Sequence, residues 1–212
     1  MKTKRWRLLF FFSMIFLCSC VGVSADIAVN SDNSGTITLE YRISSLLESL
    51  GKQDGNERWL PVPVGKADIE RSIQRLPGIK MLSFSQGKDG KGLINTVKLE
   101  FKSMEALVNF LDPRGGMAVY EKSPAGENSL SFNLEGIKKR NDAADSAFFD
   151  FYKTISEGYV FSIKLNLEAE GTLDSPSIQG AAITSKGKKL IFSSPMSAVL
   201  NYEGPFSLNF RW

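Results

Sequence analysis

Residues 159–167, with the sequence YVFSIKLNL, decide the class of fold. Apolar side chains stand at every second position from Tyr159 to Leu167, and this period of two is typical of a half-buried β-strand. The same alternation recurs upstream over 37–43 and 97–101, and downstream over the final stretch 206–212. The pattern therefore predicts a sheet that buries one face, with strands spread along the chain.

Helical periodicity separates these strands. Residues 68–76 and 104–111 place apolar side chains three or four positions apart, and Ser103 is the predicted N-cap of the second helix. Residues 138–156 are a third helical candidate. Together the elements predict one α+β domain, in which a curved antiparallel sheet of about seven to nine strands carries two or three helices on one face.

The composition narrows the function. The chain has 212 residues, 42% of them hydrophobic and 23% charged, which is ordinary for a globular protein. It contains no His, and its two cysteines, Cys18 and Cys20, both lie in the N-terminal apolar segment. Most acid–base and nucleophilic catalysis uses His or Cys, and zinc sites use both. We therefore expect a protein that is not an enzyme and that holds no metal and no cofactor.

The N-terminus has the pattern of an export signal. Four cations, Lys2, Lys4, Arg5 and Arg7, precede the apolar run 8–17, and small residues follow. Without these four cations the formal net charge of +3 becomes −1. The remaining chain therefore has no electrostatic attraction for nucleic acid, and we expect no such partner.

Two cleavage sites compete for this signal. Leu17-Cys18-Ser19 before Cys20 resembles a bacterial lipobox, in which the cysteine after the cut receives the lipid. Two or more acyl chains on Cys20 would anchor the protein stably in a membrane. A cut after Ala25 would instead release a soluble secreted protein, and an uncleaved anchor is a third possibility. We divide the chain into a signal peptide at 1–25 with the cut before Cys20 favoured, a short polar tether at 26–35, and a single domain at 36–212.

Several of these elements occur in the order found in one bacterial family. An export signal with a cysteine is followed by the strand 35–41, by a strand and helix over 97–111, and by the late strand 159–167 with 185–192 after it. This order resembles the LppM-like lipoprotein domain of bacteria over most of residues 35–200. The resemblance implies an α+β domain with a lipid-binding-like cavity and a role at the cell envelope. The lipidated cysteine, here Cys20, is the residue that it carries over.

One internal segment combines cations with aromatic side chains. Such a combination suits a lipid head group and its acyl chains. The candidate ligand-binding residues are Lys138, Lys139, Arg140, Phe148, Phe149 and Tyr152. The aromatic spacing also fits the buried stripe of a helix, which is the alternative interpretation.

We therefore expect an exported, lipid-anchored protein of the bacterial cell envelope that binds a lipid or glycolipid and faces the periplasm or the outer surface. One alternative is a structural or assembly lipoprotein that binds another envelope protein through a sheet edge. Another is a small outer-membrane β-barrel, because 206–212 alternates and ends on an aromatic residue. A carboxylate-dependent hydrolase would use Glu168 and Glu170, which share one strand face.

Overall fold

The computed structural model describes residues 22–44, 65–90, 92–113, 115–135, 156 and 158–212. These residues form ten strands and three helices. The strands are β1 (Gly22–Val29), β2 (Gly35–Ser44), β3 (Ile79–Asp89), β4 (Gly92–Phe101), β5 (Ala118–Lys122), β6 (Asn128–Glu135), β7 (Val160–Asp174), β8 (Ala182–Thr184), β9 (Lys186–Pro195) and β10 (Pro205–Arg211). The helices are α1 (Lys66–Ile73), α2 (Met104–Leu111) and α3 (Met196–Leu200).

The sheet is organised around β7, which at 15 residues is longer than any other described strand. The main path runs β3-β4-β2-β1-β7-β10-β6-β5, with β9 and then β8 attached to β7. β9 lies along one edge of β7, while β1 covers Phe161–Leu167 of the other edge and β10 covers Thr172–Asp174. β7 therefore belongs to two groups of strands, and its pairing with β9 shifts register between them, from Asn166 to Gly171.

Gly171 lies where the two groups meet. A Cβ atom at this position would come within 2.6 Å of the Arg211 carbonyl oxygen and 2.7 Å of Leu167 Cδ1. Only a residue without a side chain lets β10 end this close to β7.

The sheet is mixed, so the prediction of a purely antiparallel sheet was wrong. β1 and β7 are parallel, with Val23 opposite Phe161 and Val29 opposite Leu167, while β1 and β2 form an antiparallel hairpin. The sequence also predicted a tether over 26–35, whereas Asp26–Val29 complete β1 and residues 30–34 form the turn to β2. These residues belong to the sheet because Ala25, Ile27 and Val29 alternate with more exposed neighbours and are buried.

The core lies on the inner face of the curled sheet. Strand alternation sends Ile27, Ile37, Leu99 and Leu165 to this face, and none of these side chains is solvent-exposed. Two edge-to-face aromatic pairs, Phe161–Phe192 at 6.2 Å and Phe132–Phe210 at 6.1 Å between ring centroids, pack within it. The late strand predicted at 159–167 thus supplies the central element of the core.

The helices pack on the same core. α2 spans the predicted residues and begins at the predicted cap, Ser103, whose Oγ accepts a hydrogen bond from the Ala106 N–H at 3.3 Å. α1 begins two residues before the expected start and ends at Ile73, and α3 follows β9 at a place where the sequence pattern predicted no helix. The helix predicted at 138–156 falls almost wholly outside the described residues. No helix in the described ranges combines the length and the hydropathy needed to cross a membrane.

Candidate functional site

A polar groove of about 680 Å³ lies on the outer side of the β5–β6–β10 group. We call it the outer groove. Its lining comprises four charged side chains, four small polar ones and one proline. These are Glu121, Lys122, Ser123, Pro124, Glu127, Ser129, Ser131, Asn209 and Arg211.

Strand alternation explains the polarity of the groove floor. In β6, Ser129 and Ser131 point opposite to the buried Leu130, and in β10, Asn209 and Arg211 point opposite to the buried Phe210. The register places Asn209 beside Ser131 and Arg211 beside Ser129, so these four side chains form one continuous patch. Glu121 of β5 lies opposite Ser129 and continues the patch to the next strand.

The rim of the groove is a tight turn that joins β5 to β6. The Ser123 N–H donates to the Glu127 carbonyl oxygen at 2.8 Å, and Ser123 Oγ accepts from the Glu127 N–H at 3.1 Å. Gly126 adopts a φ of 89°, which an L residue rarely tolerates. On the opposite side, Arg211 forms a 3.8 Å ion pair with Asp174 of β7. The groove therefore presents donors and acceptors beside a hydrogen-bonded turn.

A second polar cluster lies at the end of the sheet where β1 begins. The Arg42 guanidinium contacts the Asp89 carboxylate at 2.6 Å and the Glu40 carboxylate at 3.4 Å. The Tyr159 ring packs against Gly22, where an added Cβ would lie 3.0 Å from Tyr159 Cδ1. Burial raises the pKa of the Tyr159 hydroxyl, Asp89 raises it further, and Arg42 opposes that rise.

Asn95 is the polar residue placed deepest in the same region. Its side chain is 0% exposed on the inner face, opposite Tyr41 of β2. Its Oδ1 accepts a hydrogen bond from Gln86 Nε2 at 2.8 Å. Among the described residues its Nδ2 finds no hydrogen-bond acceptor. A buried amide in this state destabilises the folded chain.

Part of the inner face is fully packed. Side chains with no exposed surface extend across it from β4 to β10, including Leu99, Leu165, Phe192, Leu208 and Phe210. A side chain that water cannot touch borders no void large enough for an acyl chain. At these positions the structure differs from the lipid-binding-like cavity that the family resemblance implied.

Most of the residues singled out from the sequence lie outside the described part of the chain. These are Cys20, Lys138, Lys139, Arg140, Phe148, Phe149 and Tyr152. Glu168 and Glu170 are described, and both are exposed. Glu168 Oε2 accepts a hydrogen bond from the Ser31 N–H at 3.1 Å. Within the described residues, no three His, Cys, Asp or Glu side chains are placed to hold a metal ion.

The outer groove was not predicted from the sequence. Its signal was present, because Ser129 and Ser131 alternate with Leu130 and Phe132. Alternation assigns side chains to a face of a strand, but it does not say which strands are neighbours. The groove requires β6 and β10 to be adjacent, although they are far apart in the sequence.

Comparisons with known proteins find a structural similarity at low identity. No family model matches the chain, and no curated protein matches it. The chain is similar to the folded domain of the Mycobacterium tuberculosis LppM protein, solved by NMR, with 12% identity and a TM-score of 0.42. The match covers 90% of this chain and 88% of that one.

Proposed function

We propose that this chain is a lipid-anchored protein of the bacterial cell envelope that binds the head group of a lipid or glycolipid without catalysing a reaction. The proposal has two parts. The start of β1 supports the lipid anchor, and the outer groove supports the class of ligand.

The start of β1 is the observation that carries the anchor. A cut after Ala25 would remove residues 22–25, which pair with Leu39–Arg42 of β2, and of which Val23–Ala25 also pair with Phe161–Ile163 of β7. Such a cut would remove half of β1, a strand that pairs with β2 on one edge and with β7 on the other. A cut before Cys20 keeps β1 whole. The position of the strand therefore favours the lipobox over the ordinary secretory site.

The anchor is tested with the two cysteines, which form a matched pair two positions apart. The full chain is expressed in a bacterial host, and the mass and membrane retention of the mature protein are measured. We expect an N-terminal Cys20 that carries acyl chains, and we expect Cys20→Ser to lose both acylation and stable retention. Cys18→Ser should retain both properties. A mature chain that begins at Asp26 would contradict the anchor.

The outer groove favours a head group as the ligand. Arg211 and Lys122 supply cationic donors, Glu121 and Glu127 supply acceptors, and Asn209 supplies both. A phosphorylated or polyhydroxylated head group needs several such partners at fixed positions. The groove lies beside Asp174, about 45 Å along β7 from the start of that strand, so the head group that it binds belongs to a lipid or glycolipid outside the leaflet that holds the anchor.

Lipid mass spectrometry of the purified full-length protein tests the ligand. We expect a lipid or glycolipid to copurify in stoichiometric amount. Ser131→Trp, which fills the groove floor, should abolish this copurification, whereas Lys98→Trp on the outer face of β4 should not. Equal lipid content in both variants would show that the ligand, if present, binds elsewhere.

A second candidate function is assembly with another envelope protein through the edge of β3. β3 ends the path of the sheet, and in the described residues its outer edge pairs with no strand. The register shift between Met81 and Ser83 leaves Leu82 46% exposed on that edge. An unpaired edge is a template for strand addition. This candidate requires a stoichiometric partner protein after mild solubilisation, and Leu82→Lys should release that partner.

A further inference from the structure

We propose that the edge of the sheet where β1 begins is the surface through which the domain contacts the membrane. This inference rests on the proposed lipid anchor at Cys20. We call this surface the anchor edge. It is defined by Gly22, Arg42 and Ile94, which pair across β1, β2 and β4, and by Val160 and Pro195, which pair across β7 and β9 one position before the Val23–Phe161 pair.

The first argument is chain length. Cys20 precedes Gly22 by two positions, and two residues span at most about 7 Å of extended chain. Gly22 is already hydrogen-bonded into the sheet, opposite Arg42 of β2. A lipid on Cys20 would therefore hold this edge against the bilayer, because Cys20 lies only two positions before the first residue of β1.

The second argument is an exposed apolar side chain at the anchor edge. Val160 is 47% exposed. Among the described residues, only two other large hydrophobic side chains, Leu82 and Ile183, are exposed to a similar extent. Pro195, its register partner in β9, is also exposed. Apolar groups at this position would enter the interfacial layer of the membrane.

The third argument is the charge at the anchor edge. Arg42 is the cation of the anchor edge, and it is paired with Asp89 and Glu40, so no isolated carboxylate of this cluster faces the bilayer. Lys88, one position beyond the anchor edge in β3, adds an exposed cation near the lipid phosphates. Arginine and lysine side chains at such a boundary keep their apolar stems in the interface and their charges in water.

The chain offers a matched pair of reporters. Leu82 is 46% exposed, almost the same as Val160, but it lies about 15 Å from the anchor edge along the strand direction. After the cut before Cys20, acylated Cys20 leaves the mature protein without a free thiol. A maleimide therefore labels only the single cysteine that is introduced at Val160 or at Leu82.

The test measures labelling by a water-soluble maleimide in the acylated full-length protein, reconstituted in vesicles of phosphatidylethanolamine and phosphatidylglycerol. Each rate is normalised to that of the same variant unfolded in urea. We expect Val160→Cys to react about tenfold more slowly than Leu82→Cys, the effect of raising the thiol pKa by about one unit at the interface. Pro195→Cys serves as a second reporter at the anchor edge.

Three outcomes are distinguishable. Protection at Val160 and Pro195 but not at Leu82 supports the anchor edge. Equal normalised rates in a protein whose Cys20 is acylated overturn the anchor edge and leave the lipid anchor standing. A mature protein without acyl chains on Cys20 overturns the anchor and the anchor edge together.

Discussion

Among the described glycines, Gly35 has the least space around it. A Cβ atom there would fall on the carbonyl oxygen of Ala28 and 2.6 Å from Phe101 Cζ. Because backbone and a buried ring must both move, Gly35→Ala should lower the free energy of unfolding by about 3 kcal/mol in urea titrations. Gly87→Ala, in the edge strand β3 with no atom within 4 Å, is the control and should change stability little.

Asn95 and Asn166 both lie in strands, but their side-chain Nδ2 atoms differ in hydrogen bonding. Asn95 Nδ2 has no acceptor among the described residues, whereas Asn166 Nδ2 donates to Asp26 Oδ1 at 2.7 Å. Asn95→Val should therefore raise the free energy of unfolding by about 1 kcal/mol, and Asn166→Val should lower it by a similar amount. A large loss of stability in Asn95→Val would show that the buried amide has a partner in the folded protein.

Tyr159 makes stability depend on pH in the alkaline range. Burial, followed by Asp89, raises the pKa of its hydroxyl above the ordinary value of about 10. The fold therefore favours the neutral phenol. The stability that this provides is complete below pH 10 and is lost as the pH rises through the folded-state pKa. Unfolding titrations should show a shallower alkaline loss in Tyr159→Phe, with the remaining slope due partly to Tyr120, whose pKa burial also raises.

At the scale of single elements, α2 is the best test of local sequence signals. Ser103 caps a helix whose Met104 and Leu107 are fully buried. Ser103→Ala should lower the free energy of unfolding by about 1 kcal/mol, because an N–H of the first turn loses its acceptor. Ser103→Asp keeps an acceptor and adds a favourable charge at the helix N-terminus, so it should restore stability. If alanine and aspartate have equal effects, the cap does not stabilise the helix.

Elements with strong local periodicity could be predicted from the sequence, and those defined by their neighbours could not. β2, β4, β7 and β10 alternate clearly, and α2 was predicted to the residue. β1 was missed because residues 22–25 were assigned to the leader and 26–35 to a tether. The parallel pairing of β1 with β7 and the outer groove both depend on the order of strands, which alternation leaves open.

For the whole molecule, the free energy of unfolding depends on whether the mature chain keeps the first half of β1. A chain that begins at Asp26 lacks the half of β1 that pairs with both β2 and β7. We expect its free energy of unfolding to be lower by about 2 kcal/mol or more than that of a chain that begins at Val21. The shorter chain loses several hydrogen bonds between strands and the buried Ala25. Equal stability of the two chains in urea would remove the structural argument for the lipobox.

The parallel pairing of β1 with β7 also sets the order in which the chain can fold. β1 and β2 are adjacent in the sequence and can pair early, but β1 cannot cover its other edge until Phe161 follows, most of the chain later. Contacts of such high contact order form slowly, and an uncovered strand edge favours aggregation in the meantime. We therefore expect the nascent chain to need a holdase chaperone until β7 has emerged.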